Sequence, residues 1–254
     1  MILHKKWLAM LAVITAILLL TACGNKESAN EVPAQEGPQD MSPKDFMPLS
    51  DGLEEYPVWI QTDENPGRNT YVNGVYVFEN GEVTGYTNFS DLNIEDIIDL
   101  SDDELIQTAK EIAGDVYIGE YTLDITLDRL GQNTEKIDVI MDNYTHIWTF
   151  DLDSLYWESG LSSMDEYIES LEKEGRDFEI DSEFITFTST KDEPHSVLSS
   201  INGGMILQKI FDTTFSGLRR GDNESILTRV DDSFVGFIID GSDTDKKNVT
   251  IEGK

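Results

Sequence analysis

From Tyr121 to Arg129 the chain alternates without a break. Tyr121, Leu123, Ile125 and Leu127 fall on one side; Thr122, Asp124, Thr126 and Asp128 fall on the other. Successive side chains of a strand point to opposite faces. The pattern therefore calls for a strand with one dry face and one wet face, as in an antiparallel sheet. After a turn over residues 131–135, Ile137, Val139 and Met141 resume the alternation, and a third strand is predicted through Tyr144, His146, Trp148, Phe150 and Leu152.

Upstream, Val75 to Glu79 and Glu82 to Tyr86 are β-prone runs separated by Asn80-Gly81. Both residues of a type I′ turn need positive φ, which Asn-Gly supplies. The expected register sets Phe78 opposite Val83, Val77 opposite Thr84, and Glu79 opposite Glu82. Further strands are expected over 184–188, 226–230, 234–239 and 249–251, while 205–218 fits both helical and strand periods.

Helical signals lie between these runs. Residues 93–99 suit one or two turns. Ser101 and Glu104 have capping-box spacing, followed by a stripe of Leu105, Ile106, Ala109, Ile112 and Ala113. Ser163 and Glu166 repeat that spacing before Met164, Tyr167, Ile168 and Leu171, with Gly175 beyond the end. The expected fold is α+β, a largely antiparallel sheet with two or more packed helices. A strongly curled sheet approaching a barrel is the second reading. The regular strand–helix spacing of a parallel sheet is missing.

The amino terminus reads differently. Lys5-Lys6 precedes Trp7 to Leu20, an apolar run with only Thr15 polar, and then Leu20-Thr21-Ala22-Cys23-Gly24. The run is too short for a comfortable membrane span but suits the apolar region of an export signal. Leu20, Thr21, Ala22 and Cys23 resemble, position by position, the signal peptides of bacterial lipoproteins. The resemblance implies diacylglycerol transfer to the Cys23 sulfur, cleavage after Ala22, and attachment to the extracytoplasmic face of a cell membrane. It covers about the first 24 residues and says nothing of the folded part. Two acyl chains anchor a protein stably where one does not.

The expected organisation is a signal peptide over 1–22, a lipidated acidic tether over 23–50 and a single domain over 51–254. The tether carries Pro33, Pro38, Pro43 and Pro48 among polar residues. If coil-like it spans roughly 30 Å. Cys23 is the one cysteine of the chain, so the domain holds together by packing without internal disulfides.

The formal net charge is −32. Such acidity argues against nucleic acid and anionic lipid headgroups, which reward clustered Lys and Arg. Membrane attachment is then expected through the lipid on Cys23, leaving a protein or small molecule as the ligand to be expected.

No cofactor motif is present, and no catalytic residue is assigned. The HExxH helix, the GxSxG elbow and the phosphate-cradling glycine loop are missing. Ser170 and Lys173 have SxxK spacing, without its partner motifs. His146 shares a strand face with Tyr144 and Trp148, and these three form the candidate pocket. His195 is expected in an exposed turn. Asp240, Asp243 and Asp245 form an acidic turn that could offer oxygens to a cation, although its glycine stands second where a calcium loop wants it sixth. The leading functional expectation is a non-catalytic lipoprotein that binds a protein, a small molecule or an envelope component. The alternatives are a carboxylate-based envelope hydrolase and a structural or folding accessory lipoprotein.

Overall fold

A computed structural model describes residues 45–63, 66–201, 204–220 and 224–253. The expected signal peptide, Cys23 and most of the tether lie outside these residues. The chain joins the fold before residue 50. Strand β1 (Met47–Pro48) pairs in parallel with Phe237 and Ile238, and helix α1 (Leu49–Glu55) buries Leu49, Ser50, Gly52 and Leu53. A Cβ on Gly52 would lie 2.3 Å from the Phe237 ring, so the helix packs at a distance that only glycine allows.

Strands β2 (Val58–Asp63), β3 (Val72–Glu79) and β4 (Glu82–Thr87) follow. The β3–β4 hairpin has the register expected from Asn80-Gly81, with Phe78 opposite Val83 and Glu79 opposite Glu82. Asn80 (φ 54°) and Gly81 (φ 86°) both take the positive φ of the turn. After α2 (Ile94–Ile97), α3 (Asp102–Ile112) closes its capping box: the Ser101 hydroxyl accepts from the Glu104 amide, and the Glu104 carboxylate accepts from the Ser101 amide at 2.8 Å. Leu105 and Ala109 of its stripe are buried, whereas Ile112 at the last turn is exposed.

β5 (Asp115–Leu127) and β6 (Thr134–Asp151) form the spine. The two separate strands expected over 137–152 are one strand of 18 residues. Asn143, at φ 54°, inserts an irregularity that shifts the inward phase from odd to even positions, which is why the run reads as two. The strand stops at Asp151, whose carboxylate accepts from the Ser154 amide at 2.7 Å and caps α4 (Leu152–Ser159). Leu152 thus opens a helix, where the alternation alone predicts the end of a strand. Helix α5 (Met164–Lys173) is capped by Ser163, but Glu166 bonds the Ser162 amide at 3.1 Å, so the second box forms only by half.

The remaining strands are β7 (Asp177–Asp181), β8 (Phe184–Lys191), β9 (His195–Ile201), β10 (Met205–Ile210), β11 (Thr213–Arg220), β12 (Glu224–Val230), β13 (Phe237–Ile238) and β14 (Val249–Gly253). The ambiguous stretch 205–218 is therefore a hairpin. The main sheet runs β10-β11-β12-β2-β3-β4-β5-β6-β8-β7, with β14 added beside β5 and β9 beside β6. Its pairs are antiparallel except β14 with β5. The path has two ends, so the sheet is open. Among the described residues no helix is long and apolar enough to cross a membrane.

Both faces of the sheet carry core. On one, Trp59, Phe78, Val83, Tyr121, Leu123, Ile137, Val139 and Met141 pack with Leu49, Leu53 and Phe237. On the other, Val58, Ile60, Val75, Phe215 and Leu227 pack under α2 and α3. A third cluster sets Ile185 and Phe187 against Leu152 of α4 and Tyr167 and Leu171 of α5. Fully burying one such side chain contributes roughly 1.5–3 kcal/mol.

Candidate functional site

Residues directly opposite each other in antiparallel strands share a face. The register sets Tyr117 opposite His146 and His146 opposite Ser189. One step along, Asp115 lies opposite Trp148, Trp148 opposite Phe187, and Phe187 opposite Phe178. The alternation of β6 places Tyr144, His146 and Trp148 on this same face, the grouping expected from the sequence.

The rings form a continuous row. Trp148 and Phe187 stack with centroids 5.6 Å apart, His146 lies 4.5 Å from Trp148, and Tyr117 lies 4.4 Å from His146 at an interplanar angle of 7°. On its other face Tyr117 meets His195, again at 4.4 Å and within 9° of parallel. Tyr144 sits beside this end, 5.1 Å from His195. The Nε2 of His146 is 2.8 Å from Oδ1 of Asp115, and the two side chains remain 21% and 23% exposed. The row is thus half-buried, with a carboxylate hydrogen-bonded along it.

His195 is not in an exposed turn. It opens β9 and is half-buried against Tyr117. β8 and β9 run along the same edge of β6, interrupted only at residues 192–194, and that continuity brings the ring into the row. Burial pushes the Tyr117 hydroxyl above its ordinary pKa, with Asp115 and then Tyr144 adding to the effect. The Tyr144 hydroxyl is raised by burial and then by Glu193. Both phenols therefore stay protonated as donors.

Beside Trp148 lies a hollow of about 300 Å³, lined also by Phe187, Arg176, Asp177, Thr188 and Ser189. The Arg176 guanidinium carbon stands 5.8 Å from the Phe187 ring centroid, and its Nε bonds Glu174 at 2.8 Å. Aromatic walls with a few polar groups are the usual make-up of a small-ligand site, and this volume is at the low end for one. The Asp115–His146 pair resembles the base and orienting acid of a catalytic triad. Ser189 lies opposite His146 on β8, but no hydrogen bond joins the two, and the His146 ring is packed against Tyr117 and Trp148.

The acidic turn is anchored at its first residue. Asp240 is buried and accepts from the Ser50 amide at 3.0 Å and from the Ser50 hydroxyl. Asp243 and Asp245 are exposed. Neighbouring Lys246 bridges Asp51 at 2.7 Å and Glu54 at 3.1 Å. Asp240 is thereby committed to the start of α1. Among the described residues no group of three or more His, Cys, Asp or Glu is placed to hold a metal ion. Ser170 donates to the Tyr167 carbonyl at 2.7 Å and Lys173 pairs with Glu169, so the SxxK spacing is helix-surface chemistry.

Of two acidic features, the sequence shows only the Glu79–Glu82 pair; the rest depends on register between strands. Glu79, Glu82, Glu120 and Asp142 are successive cross-strand neighbours over β3, β4, β5 and β6. Asp124 lies opposite Asp138, which is buried and bonded to Lys136 at 2.8 Å. The Asp124 carboxyl is pushed up by burial and by Asp138, Glu252 and Asp142, against a hydrogen bond from Thr250.

No protein-family profile, curated protein or solved structure matches the chain.

Proposed function

We propose that this chain is an extracytoplasmic lipoprotein, held at the membrane through a lipid on Cys23, whose domain binds a ligand along the Tyr117–His146–Trp148 row without transforming it. The observation that carries the reading is the row itself: half-buried rings in sequence, a carboxylate at Asp115, and a hollow floored by Trp148 and Phe187. Side chains of this kind recognise a ligand by stacking and by a few fixed hydrogen bonds. The anchoring half of the proposal is supported by the match of residues 20–23 to the lipoprotein signal.

The test uses the full chain in detergent. Envelope glycan fragments, stem peptides and small solutes are screened by thermal shift against the natural protein and Trp148→Ala. A ligand of the row stabilises the natural protein, by about 2.7 kcal/mol at a hundredfold excess over Kd, does not stabilise the variant, and is recovered unchanged. Chemical conversion of that ligand, lost in His146→Ala, would establish the hydrolase instead. Separately, Cys23→Ser is expected to abolish incorporation of labelled palmitate and release the protein from membranes.

A further inference from the structure

β7 is the last strand at one end of the sheet, and its described pairing is with β8 alone. Its sequence, Asp177-Phe178-Glu179-Ile180-Asp181, alternates strictly. Phe178 and Ile180 share a face with Phe187 and Ile185, extending the apolar cluster under α4 and α5 to the rim, where Ile180 is 41% exposed. Asp177, Glu179 and Asp181 point to the opposite face, beside Thr188, Thr186 and Phe184, and Phe184 is itself exposed. Among the described residues these three acids make no ion pair.

An edge strand presents a row of unpaired amides and carbonyls that can take another strand. The side chains decide which strand. A second copy of β7 paired antiparallel about Glu179 would set glutamate against glutamate and Asp177 against Asp181. Like charges directly opposite each other are destabilising. A strand that alternates Lys or Arg with apolar residues meets both faces correctly: its cations oppose the acids, and its apolar residues prolong the Phe178–Ile180 rim. The formal net charge of −32 draws such a segment in from a distance.

We infer that the outer edge of β7 is a docking site for an extended cationic segment of another polypeptide, which adds to the sheet as a further strand. This site adjoins the ring row, since Asp177 lines the hollow beside Trp148 and Phe178 lies opposite Phe187, but it uses the outer edge of β7, and its test at Glu179 does not depend on the function proposed for the row.

The probe is a fluorescein-labelled peptide, Lys-Val-Lys-Phe-Lys-Val-Lys, titrated onto the full chain and followed by anisotropy. A peptide of the same composition with its lysines in one block and its apolar residues in another reports bulk charge attraction alone. Two further peptides carry N-methyl groups on alternate amides, one set in each phase. The alternating peptide is expected to bind at least tenfold more tightly than the block peptide. One of the N-methylated peptides, the one blocked on the edge it presents, loses that advantage. Glu179→Lys, an exposed change whose folding is checked by circular dichroism, weakens the alternating peptide at least tenfold. Amide exchange slows over residues 177–181 when the alternating peptide binds. Equal binding of the alternating and block peptides, indifference to both methylated sets, or a dimer of the unliganded chain that Glu179→Lys dissolves would each overturn the inference.

Discussion

The Asp240 carboxylate receives both the amide and the hydroxyl of Ser50, a residue 190 positions away. This buried contact ties the first helix to the last loop. In Asp240→Ala, the two donors of Ser50 lose their acceptor in a site with little water. The expected cost is about 1–3 kcal/mol, read as a lower urea midpoint with an unchanged slope. Asp240→Asn keeps an acceptor and loses less. The deficit is the same with or without added calcium, because the side chain acts as a cap.

The Tyr76 ring packs against Gly74 of β3 and Gly85 of β4. A Cβ on Gly85 would stand 2.9 Å from its ring, and the hydroxyl donates to Gln61 at 2.7 Å. Gly85→Ala is expected to destabilise by roughly 1–3 kcal/mol through overpacking. Gly217→Ala should cost more, since its Cβ would fall 2.0 Å from the Ile226 carbonyl oxygen and backbone cannot swing aside. Thermal melts of both variants beside the natural protein rank the two.

Stability should respond to pH at two residues in different ranges. Burial lowers the Lys246 pKa, but bonds to Asp51 and Glu54 outweigh it and hold the ammonium above its usual value. That contribution is complete below the unfolded pKa of about 10.4 and is lost as pH climbs through the raised folded value. Lys246→Met therefore removes the alkaline fall in a pH–stability curve, with a neutral-pH loss below about 1 kcal/mol.

Asp124 has the opposite sense for a carboxyl. Its folded pKa is raised, so its charge is a net cost above the unfolded value of about 3.9, relieved as pH falls. Asp124→Asn is expected to melt higher at neutral pH, by about 2–4 °C for each kcal/mol gained. The advantage vanishes in acid, where the native carboxyl is already neutral.

Because Tyr117 is stacked between two imidazoles, one substitution should be felt by both. In Tyr117→Leu, the ring-proton resonances of His146 and His195 both move toward their free positions in proton NMR. A shift confined to one histidine would contradict the stack.

What could be read from the chain follows the range of the forces involved. The Asn80-Gly81 turn sets its own register, and Ser101 with Glu104 closes a cap within four residues, so both were legible. Tyr144, His146 and Trp148 share a face by strand geometry alone. Asp115, Tyr117, Phe187 and His195 join them only through cross-strand register, which no local pattern specifies. Asn143 hid the unity of β6 by shifting its phase. His195 read as a turn because Pro194 precedes it, yet the strand merely restarts there. Ser50 looked like tether because the residue that buries it, Asp240, lies at the far end of the chain.

The order of strands in space also constrains how the protein can come into being. Thr228 of β12 bonds the Val58 carbonyl of β2 across 170 positions, and Gln61 meets Glu224 across 163. A chain emerging amino end first holds β2 with one flank unmatched until nearly all of its residues have appeared. Closing such distant partners is slow, and the waiting edge is open to wrong neighbours meanwhile. Vectorial emergence therefore leaves this protein dependent on its final segment, and fragments stopped short of β12 should aggregate before they can mature.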